Sequence, residues 1–310
     1  MNKSNFSHAY SLCRVCPHEC NVDRSRQPAG FCRCGTEAAV AAICCHKGEE
    51  PVISGKRGIC NVFFAHCNLQ CIYCQNHEIS NNRSVAARLM SVDEIAREII
   101  RLLPDCENRV GFVSASQFVP HVVAIVETVH SLGVHPVFVY NSNGYDHPEM
   151  LRLLEGKIDV YLPDFKYSDS LLAKRLSGVD DYPQVAIRAI REMYRQKGSP
   201  LWLDDNGLAE SGLIIRHLLL PGMVQQSIEA LRMVAEEISA SVHISLMSQY
   251  YPPVEIPAFP ELNRMLREEE YLTVTNAFCQ LGFHKGWMQE LGSDEHFRPH
   301  FDKDNPFPNL

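Results

Sequence analysis

Three closely spaced cysteines, Cys67, Cys71 and Cys74, carry the strongest chemical signal in the chain. They lie in the stretch Ile59 to His77, directly after the apolar run Val62-Phe63-Phe64, which reads as a buried strand. Spacings of four and three residues let one tight loop turn all three sulfurs inward. Structural zinc takes four closed ligands, usually as two separated pairs. Three clustered thiolates instead suit an iron–sulfur cluster with one iron left open, since such clusters otherwise take four cysteines. An open iron can bind a substrate or cofactor. The competing interpretation is a zinc or disulfide cluster that shares the spacing.

A second group, Cys13, Cys16, Cys20, Cys32 and Cys34, sits in a segment rich in Pro, Gly and Arg, with neither helical nor strand periodicity. Such a segment buries too little apolar surface to hold itself, so a metal is expected to staple it. Zinc and a second iron–sulfur cluster both remain open for Cys13, Cys16, Cys20 and Cys32. Further polar groups stand where apolar runs end: Ser114-Ala115-Ser116-Gln117, Asn141-Ser142-Asn143-Gly144, and Pro163-Asp164-Phe165-Lys166. Asp164 and Lys166, two apart, share a side if the backbone is extended. Arg216 and His217 lie within the apolar run Leu213–Leu220. A buried arginine needs an anionic partner, which could be a ligand carboxylate or, within the protein, Asp164 or Glu210.

These groups need a scaffold, and the pattern supplies one. Strand-like runs occur at Cys60–Ala65, Val110–Val113, Val134–Tyr140, Ile158–Leu162, Leu213–Leu219 and Val242–Met247. Helical periodicity fills the gaps, at Val119–Leu132, Pro148–Leu154, Asp181–Gln196, Gln225–Ser239 and Glu268–Leu281. Ser91 to Glu94 forms a capping box opening a helix to about Leu103. Strands alternating with helices imply βα units and a parallel sheet, either open or a partial barrel. Active groups then belong beyond the carboxyl ends of the strands. Asp204-Asp205-Asn206-Gly207 reads as a hairpin turn.

Cys67, Cys71, Tyr73 and Cys74 match the CxxxCxΦC signature, Φ being aromatic, and here the chain resembles radical S-adenosylmethionine (SAM) enzymes. The resemblance implies an α/β partial (β/α)6 TIM-type barrel with a small N-terminal Cys-rich extension. It implies a [4Fe–4S] cluster on the three cysteines, its open iron chelated by SAM, and an electron donor such as flavodoxin or ferredoxin. It also places Tyr73, Ser114, Asn141, Asp164, Lys166 and Arg216 around SAM, with Arg216 facing the SAM carboxylate. Many members hold the SAM amino group with Gly-Gly-Glu after the second strand. Ser114-Ala115-Ser116 stands there instead, so a hydroxyl or backbone carbonyl has to serve. Asp164-Phe165-Lys166, Ile215-Arg216-His217…Pro221-Gly222 and Asn141–Gly144 match elements of the enzymes that activate glycyl radical enzymes. LPDFKYSD, LIIRHLLLPG, SLMSQYYP and CRVCPHEC…GFC are similar to the PflX-like branch of pyruvate formate-lyase activating enzyme homologues. A glycyl radical enzyme is thus an implied protein partner. Ser248-Gln249-Tyr250 stands where activating enzymes carry a histidine.

Composition narrows the alternatives. The chain has 310 residues, 45% hydrophobic and 21% charged, ordinary for a globular protein. A net charge of −8 without a Lys/Arg block argues against duplex DNA or an anionic membrane as partner. With 13 cysteines and no apolar signal core at the N-terminus, a reducing cytoplasmic location is expected. No run of apolar residues is long enough to span a bilayer. The expected organisation is a Cys-rich extension over residues 1–50, a core over 51–282 and an irregular strap over 283–310. His296, His300 and Asp302 belong to that strap as surface residues. Cys44 and Cys45 read as core, and Cys60, Cys106 and Cys279 as isolated buried thiols. Three functions compete: radical activation of a partner protein, radical chemistry on a small molecule or other side chain, and a non-catalytic zinc-binding interaction module.

Overall fold

The computed structural model describes residues 9–83, 87–292, 298–301, 303, 306 and 307. Six parallel strands form its centre: β2 (Ile59–Phe64), β4 (Arg109–Val113), β5 (Val137–Ser142), β6 (Val160–Pro163), β8 (Ala209–Leu218) and β9 (His243–Met247). They lie side by side in chain order. Strand β1 (Ala38–His46) pairs antiparallel with β2 beyond one end, and β3 (Arg88–Met90) pairs with β1. Strand β10 (Gly286–Met288) adds in parallel beyond β9. The two residues of β7 (Trp202–Leu203) close a hairpin onto β8 through the Asp204–Gly207 turn, where the Asp204 amide donates to the Leu208 carbonyl.

The central strands are rich in Val, Ile and Phe and buried on both faces, as parallel strands between two layers must be. Their alternation sorts the side chains. Outward residues such as Val110, Phe112, Ile244 and Leu246 pack against the helices α1 (Val92–Leu102), α2 (Val119–Ser131), α3 (Pro148–Leu153), α4 (Ser170–Ser177), α5 (Tyr182–Lys197), α6 (Val224–Val234) and α7 (Glu268–Gln280). Ile59, Val139, Val160, Leu162 and Ile214 form a separate inner cluster with Ile53 from the short helix Pro51–Ser54. Asn61, Asn141, Asp164 and Arg216 stand two residues further along the same faces. The apolar plug therefore sets the depth at which the polar groups begin.

Strands β1 and β10 are separated by six strands, yet His46 and Trp287 line one cavity. The sheet must curl to bring them together, which makes it a partial barrel whose ends are not joined by hydrogen bonds. The capping box of α1 is present: the Ser91 Oγ accepts from the Glu94 amide at 3.3 Å, and Glu94 Oε2 accepts from the Ser91 amide at 2.8 Å.

Several details depart from the sequence reading. In strand β1 the sequence pattern marks only Cys44 and Cys45, as core residues after an Ala-rich run. It is a full strand whose Cys45 pairs in register with Cys60. Cys60 and Cys106 are buried, but Cys279 is exposed. On α7 it follows the inward Phe278, and one residue is a turn of about 100° on a helix. Within 283–310, Gly286–Met288 is strand, not irregular chain. His300 is exposed, and His296 and Asp302 lie outside the described residues. Among the described residues no helix is long and apolar enough to cross a membrane.

Candidate active site

The cysteine loop begins where β2 ends, at the carboxyl side of the sheet. His66, just before it, adopts φ of 63°, a left-handed conformation that turns the chain sharply. Asn82 clamps the turn, its Oδ1 accepting from the Cys67 amide at 3.0 Å and its Nδ2 donating to the Cys67 carbonyl at 2.8 Å. All three sulfurs are unbridged and receive donors. Cys67 Sγ accepts from the Leu69 amide (3.4 Å) and Asn143 Nδ2 (3.3 Å), Cys71 Sγ from Ser177 Oγ (2.9 Å), and Cys74 Sγ from Ser80 Oγ (3.3 Å). Four donors aimed at three sulfurs is an environment for thiolates. Burial, followed by the neighbouring thiol Cys71, pushes the metal-free Cys67 thiol up to about 12. Metal loading at Cys67 therefore displaces a proton.

Cys67, Cys71 and Cys74 open on a cavity of about 370 Å³, within the range of small-molecule sites. Tyr73, Ser114, Asn141, Asp164, Lys166 and Arg216, all singled out from sequence, line the same cavity. Tyr73 Oη meets Tyr167 Oη at 2.5 Å, Tyr167 Oη meets Ser177 Oγ at 2.6 Å, and Ser177 reaches Cys71, forming one continuous hydrogen-bonded chain. Ser114, directly after β4, has φ of 57°, a strained conformation for a residue other than glycine. Gly144, φ 81°, is required where it stands, because a Cβ there would collide with the Asp164 carbonyl.

The charged residues are already matched to one another. Lys166 Nζ lies 2.6 Å from Asp164 Oδ2, and Arg216 Nε lies 3.0 Å from Asp164 Oδ1. Arg216 Nη1 lies 3.1 Å from Glu49 Oε2, and its Nη2 donates to Asn141 Oδ1 at 2.6 Å. Burial opposes ionisation of Asp164, but Lys166 and then Arg216 outweigh it and hold its carboxyl below the usual range. The carboxylates hydrogen-bonded to Arg216 among the described residues are thus Asp164 and Glu49, with Glu50 adding to the field around it. Asp164 is among the alternatives readable from sequence; Glu49 is not, and Glu210 is exposed.

Glu49 and Glu50 are the residues that sequence reading missed. They precede Pro51 in the segment assigned to the extension, and only their position next to the first barrel strand hinted at a role. Asn61 Nδ2 donates to Glu49 Oε1 at 3.0 Å. The space for that amide exists because Gly111, inward on β4 beside Asn61, has no side chain. Ser245, Gln249, Trp287 and Gln289 complete the far wall. Gln249 donates to Gln75 Oε1 at 3.2 Å and accepts from Gln289 Nε2 at 2.7 Å, tying the cysteine loop to β9 and β10.

The N-terminal cysteines lie apart from this cavity, and their segment is packed onto the core. Tyr10 Oη lies 2.8 Å from His121 Nδ1 on α2, and His18 Nε2 lies 2.8 Å from the Asn68 carbonyl in the cysteine loop. Cys13, Cys16, Cys20 and Cys32 line a small cavity of about 10 Å³, while Cys34 is not among its walls. Arg24, only 2% exposed, donates to the carbonyls of Cys34, Gly35 and Gln117, and its Nη1 lies 3.8 Å from Cys13 Sγ. Among the described residues no three His, Cys, Asp or Glu side chains are gathered around one metal ion. A cubane held by Cys67, Cys71 and Cys74 would need no such gathering, because each cysteine would serve a different iron. The donor set there fits an iron–sulfur cluster.

Residues 61–234 match the family model of the radical SAM superfamily. An uncharacterized protein of Methanocaldococcus jannaschii is 31% identical over 267 residues, covering 84% of this chain and 72% of that protein. Among solved structures, SuiB of Streptococcus suis bound to S-adenosylmethionine is similar at 14% identity, with a TM-score of 0.49 over 79% of this chain. The present chain spans about half of SuiB, 51%. A domain of pyruvate-formate lyase-activating enzyme from Bacteroides vulgatus matches 56% of this chain and 93% of that domain, at 15% identity and a TM-score of 0.38.

Proposed function

The chain belongs to the radical SAM superfamily, and from that membership we propose that Cys67, Cys71 and Cys74 hold a [4Fe–4S] cluster, with SAM in the adjoining cavity. When bound and reduced, the cluster supplies the electron that splits SAM into methionine and a 5′-deoxyadenosyl radical, which removes a hydrogen atom from the substrate. The observation that carries this reading is the trio of unbridged, donor-supplied thiols opening on a cavity lined by charged and amide groups. Ser80, Asn143, Ser177 and the Leu69 amide orient the three sulfurs and stabilise their negative charge. Lys166 keeps ammonium donors beyond the one spent on Asp164 and can offer them to a ligand. The pairing of Asp164, Arg216, Glu49 and Asn141 fixes this wall before any ligand arrives, so little reorganisation is needed on binding. Electrons come from a small carrier such as flavodoxin or ferredoxin.

For the target, the activating-enzyme motifs Asp164-Phe165-Lys166 and Ile215-Arg216-His217 support a glycyl radical enzyme. One observation favours a small molecule or side chain instead: buried polar atoms of the cavity-lining residues His46 and Glu50 have no hydrogen-bond partner among the described residues. The test of the shared chemistry is anaerobic reconstitution with iron, sulfide, SAM and dithionite, followed by assay for 5′-deoxyadenosine. A colourless protein carrying only zinc, or no 5′-deoxyadenosine from fully reconstituted protein, would refute it. Adding candidate glycyl radical proteins to the same assay, with detection of a glycyl radical by electron paramagnetic resonance, separates the two targets.

Cys13, Cys16, Cys20 and Cys32 we assign to a structural metal ion. The support is Arg24: a buried guanidinium with no carboxylate hydrogen-bonded to it among the described residues needs a negative charge nearby, and metal-bound thiolates provide one. Four cysteines on one ion is the structural zinc arrangement, and zinc is the metal expected; the thiols, which are not gathered around one point among the described residues, would draw together on binding. Elemental analysis of the protein before iron reconstitution is expected to give about one zinc per chain. Cys16→Ser together with Cys32→Ser is expected to lose that zinc; equal zinc in this variant would remove the assignment.

A further inference from the structure

One carboxyl in the network is only half satisfied: Glu50, its pKa raised by burial and set in the field of Arg216, meets Ser245 through its side chain. Lys166 and Arg216 are hydrogen-bonded to Asp164 and Glu49, whereas Glu50, 8% exposed, keeps its Oε2 without a hydrogen-bond partner among the described residues. His46, 6% exposed, likewise keeps its Nδ1 without one among the described residues. Both residues line the main cavity. Buried polar atoms are ordinarily satisfied, so two orphans on residues that line one cavity point to a missing ligand group. The surrounding wall is aromatic: the His46 and Phe307 rings lie 4.1 Å apart, Phe63 and Phe307 5.5 Å apart, and Trp287 faces the same space from β10.

Resting on the radical SAM reading and naming its substrate class, we propose that Glu50 and His46, walled by Phe63, Trp287 and Phe307, seat a primary alkylammonium group of the substrate. A half-satisfied carboxylate among aromatic faces selects an organic cation, because ring faces attract positive charge. Held neutral by burial and by the Arg216 charge, the His46 ring presents Nδ1 as an acceptor when Nε2 carries the proton. Two open acceptors suit the compact donors of an ammonium. The five donors of a guanidinium would be left largely unmatched there. The amine could belong to a free alkylamine or to a lysine side chain.

The test is calorimetric titration of cluster-reconstituted protein, without reductant, with pentylamine, with the amide of Nα-acetyl-lysine, and with pentanol as the uncharged control. Because no SAM cleavage is read, the result is independent of whether the radical chemistry proceeds. Saturable binding of at least one amine is expected, unaffected by SAM, with pentanol and the Glu50→Gln variant each weaker by about tenfold or more. The stronger of the two amines identifies the source as free or side-chain amine. Trp287 is one of the two tryptophans in the chain, so binding should alter its emission. That change should persist in Trp202→Phe and vanish in Trp287→Phe, which provides a second readout should Glu50→Gln fold poorly. Equal binding of pentanol, undiminished binding by Glu50→Gln, displacement of the amines by SAM, or no saturable binding of either amine would each overturn the assignment.

Discussion

Cys71→Ala protein, reconstituted anaerobically and supplied with SAM and reductant, is expected to form no measurable 5′-deoxyadenosine, a loss of at least about a thousandfold, or about 4 kcal/mol in barrel-bound catalysis. Cys71 is both a proposed iron ligand and the terminus of the Tyr73–Tyr167–Ser177 hydrogen-bond chain. Its removal should leave the fold in place. One sulfur atom is lost from a loop, and the Ser177 hydroxyl keeps Tyr167 as a partner, so the stability cost should be about 1 kcal/mol. Circular dichroism and melting temperature check the fold, and chromatographic detection of 5′-deoxyadenosine checks the chemistry. Turnover near the parental rate in a folded variant would rule out Cys71 as a ligand.

Arg216→Ala should act in the opposite way, chiefly on stability. Arg216 is the shared counter-charge of Asp164 and Glu49, and all three side chains are no more than 15% exposed. Removing one partner of a buried ion pair costs about 3–5 kcal/mol, because the remaining charges lose compensation. Lys166 still answers Asp164, so Glu49 is the group left stranded. Urea unfolding should show this loss, and Glu49→Gln added to Arg216→Ala should restore part of it, the signature of direct coupling. A loss below about 1 kcal/mol would show that the network is not structurally important. The same network has a defined pH behaviour. The Asp164 carboxyl titrates below its ordinary value near 4, so its contribution is complete above that value and disappears as pH falls through the depressed one.

The cysteine loop, the α1 cap and the parallel sheet could be read from local sequence because each depends on neighbours within a few residues. Cys67, Cys71 and Cys74 fall on one turn, and Ser91 and Glu94 satisfy one another. The polar residues at strand ends could be located because alternation fixes the face on which Asn141, Asp164 and Arg216 stand. Their partners could not be read. Glu49 meets Arg216 across 167 positions of chain, and nothing local in Gly48-Glu49-Glu50-Pro51 distinguishes it from a solvated turn. Strand β1 escaped because Ala-Ala-Val-Ala-Ala carries little strand preference, and its identity comes from pairing with β2. β10 escaped for a related reason: its three residues are strand only because β9 offers them an edge.

Glu49 precedes the first barrel strand, yet it neutralises the arginine at the barrel's centre. The cysteine-bearing leader is consequently not a detachable module. A trimmed chain beginning at residue 51 would retain the whole CxxxCxxC loop but lose one of the two acids hydrogen-bonded to Arg216, and the strand that flanks β2. Grafting or fusion designs that treat the boundary near residue 50 as a seam would cut through the electrostatic centre of the molecule.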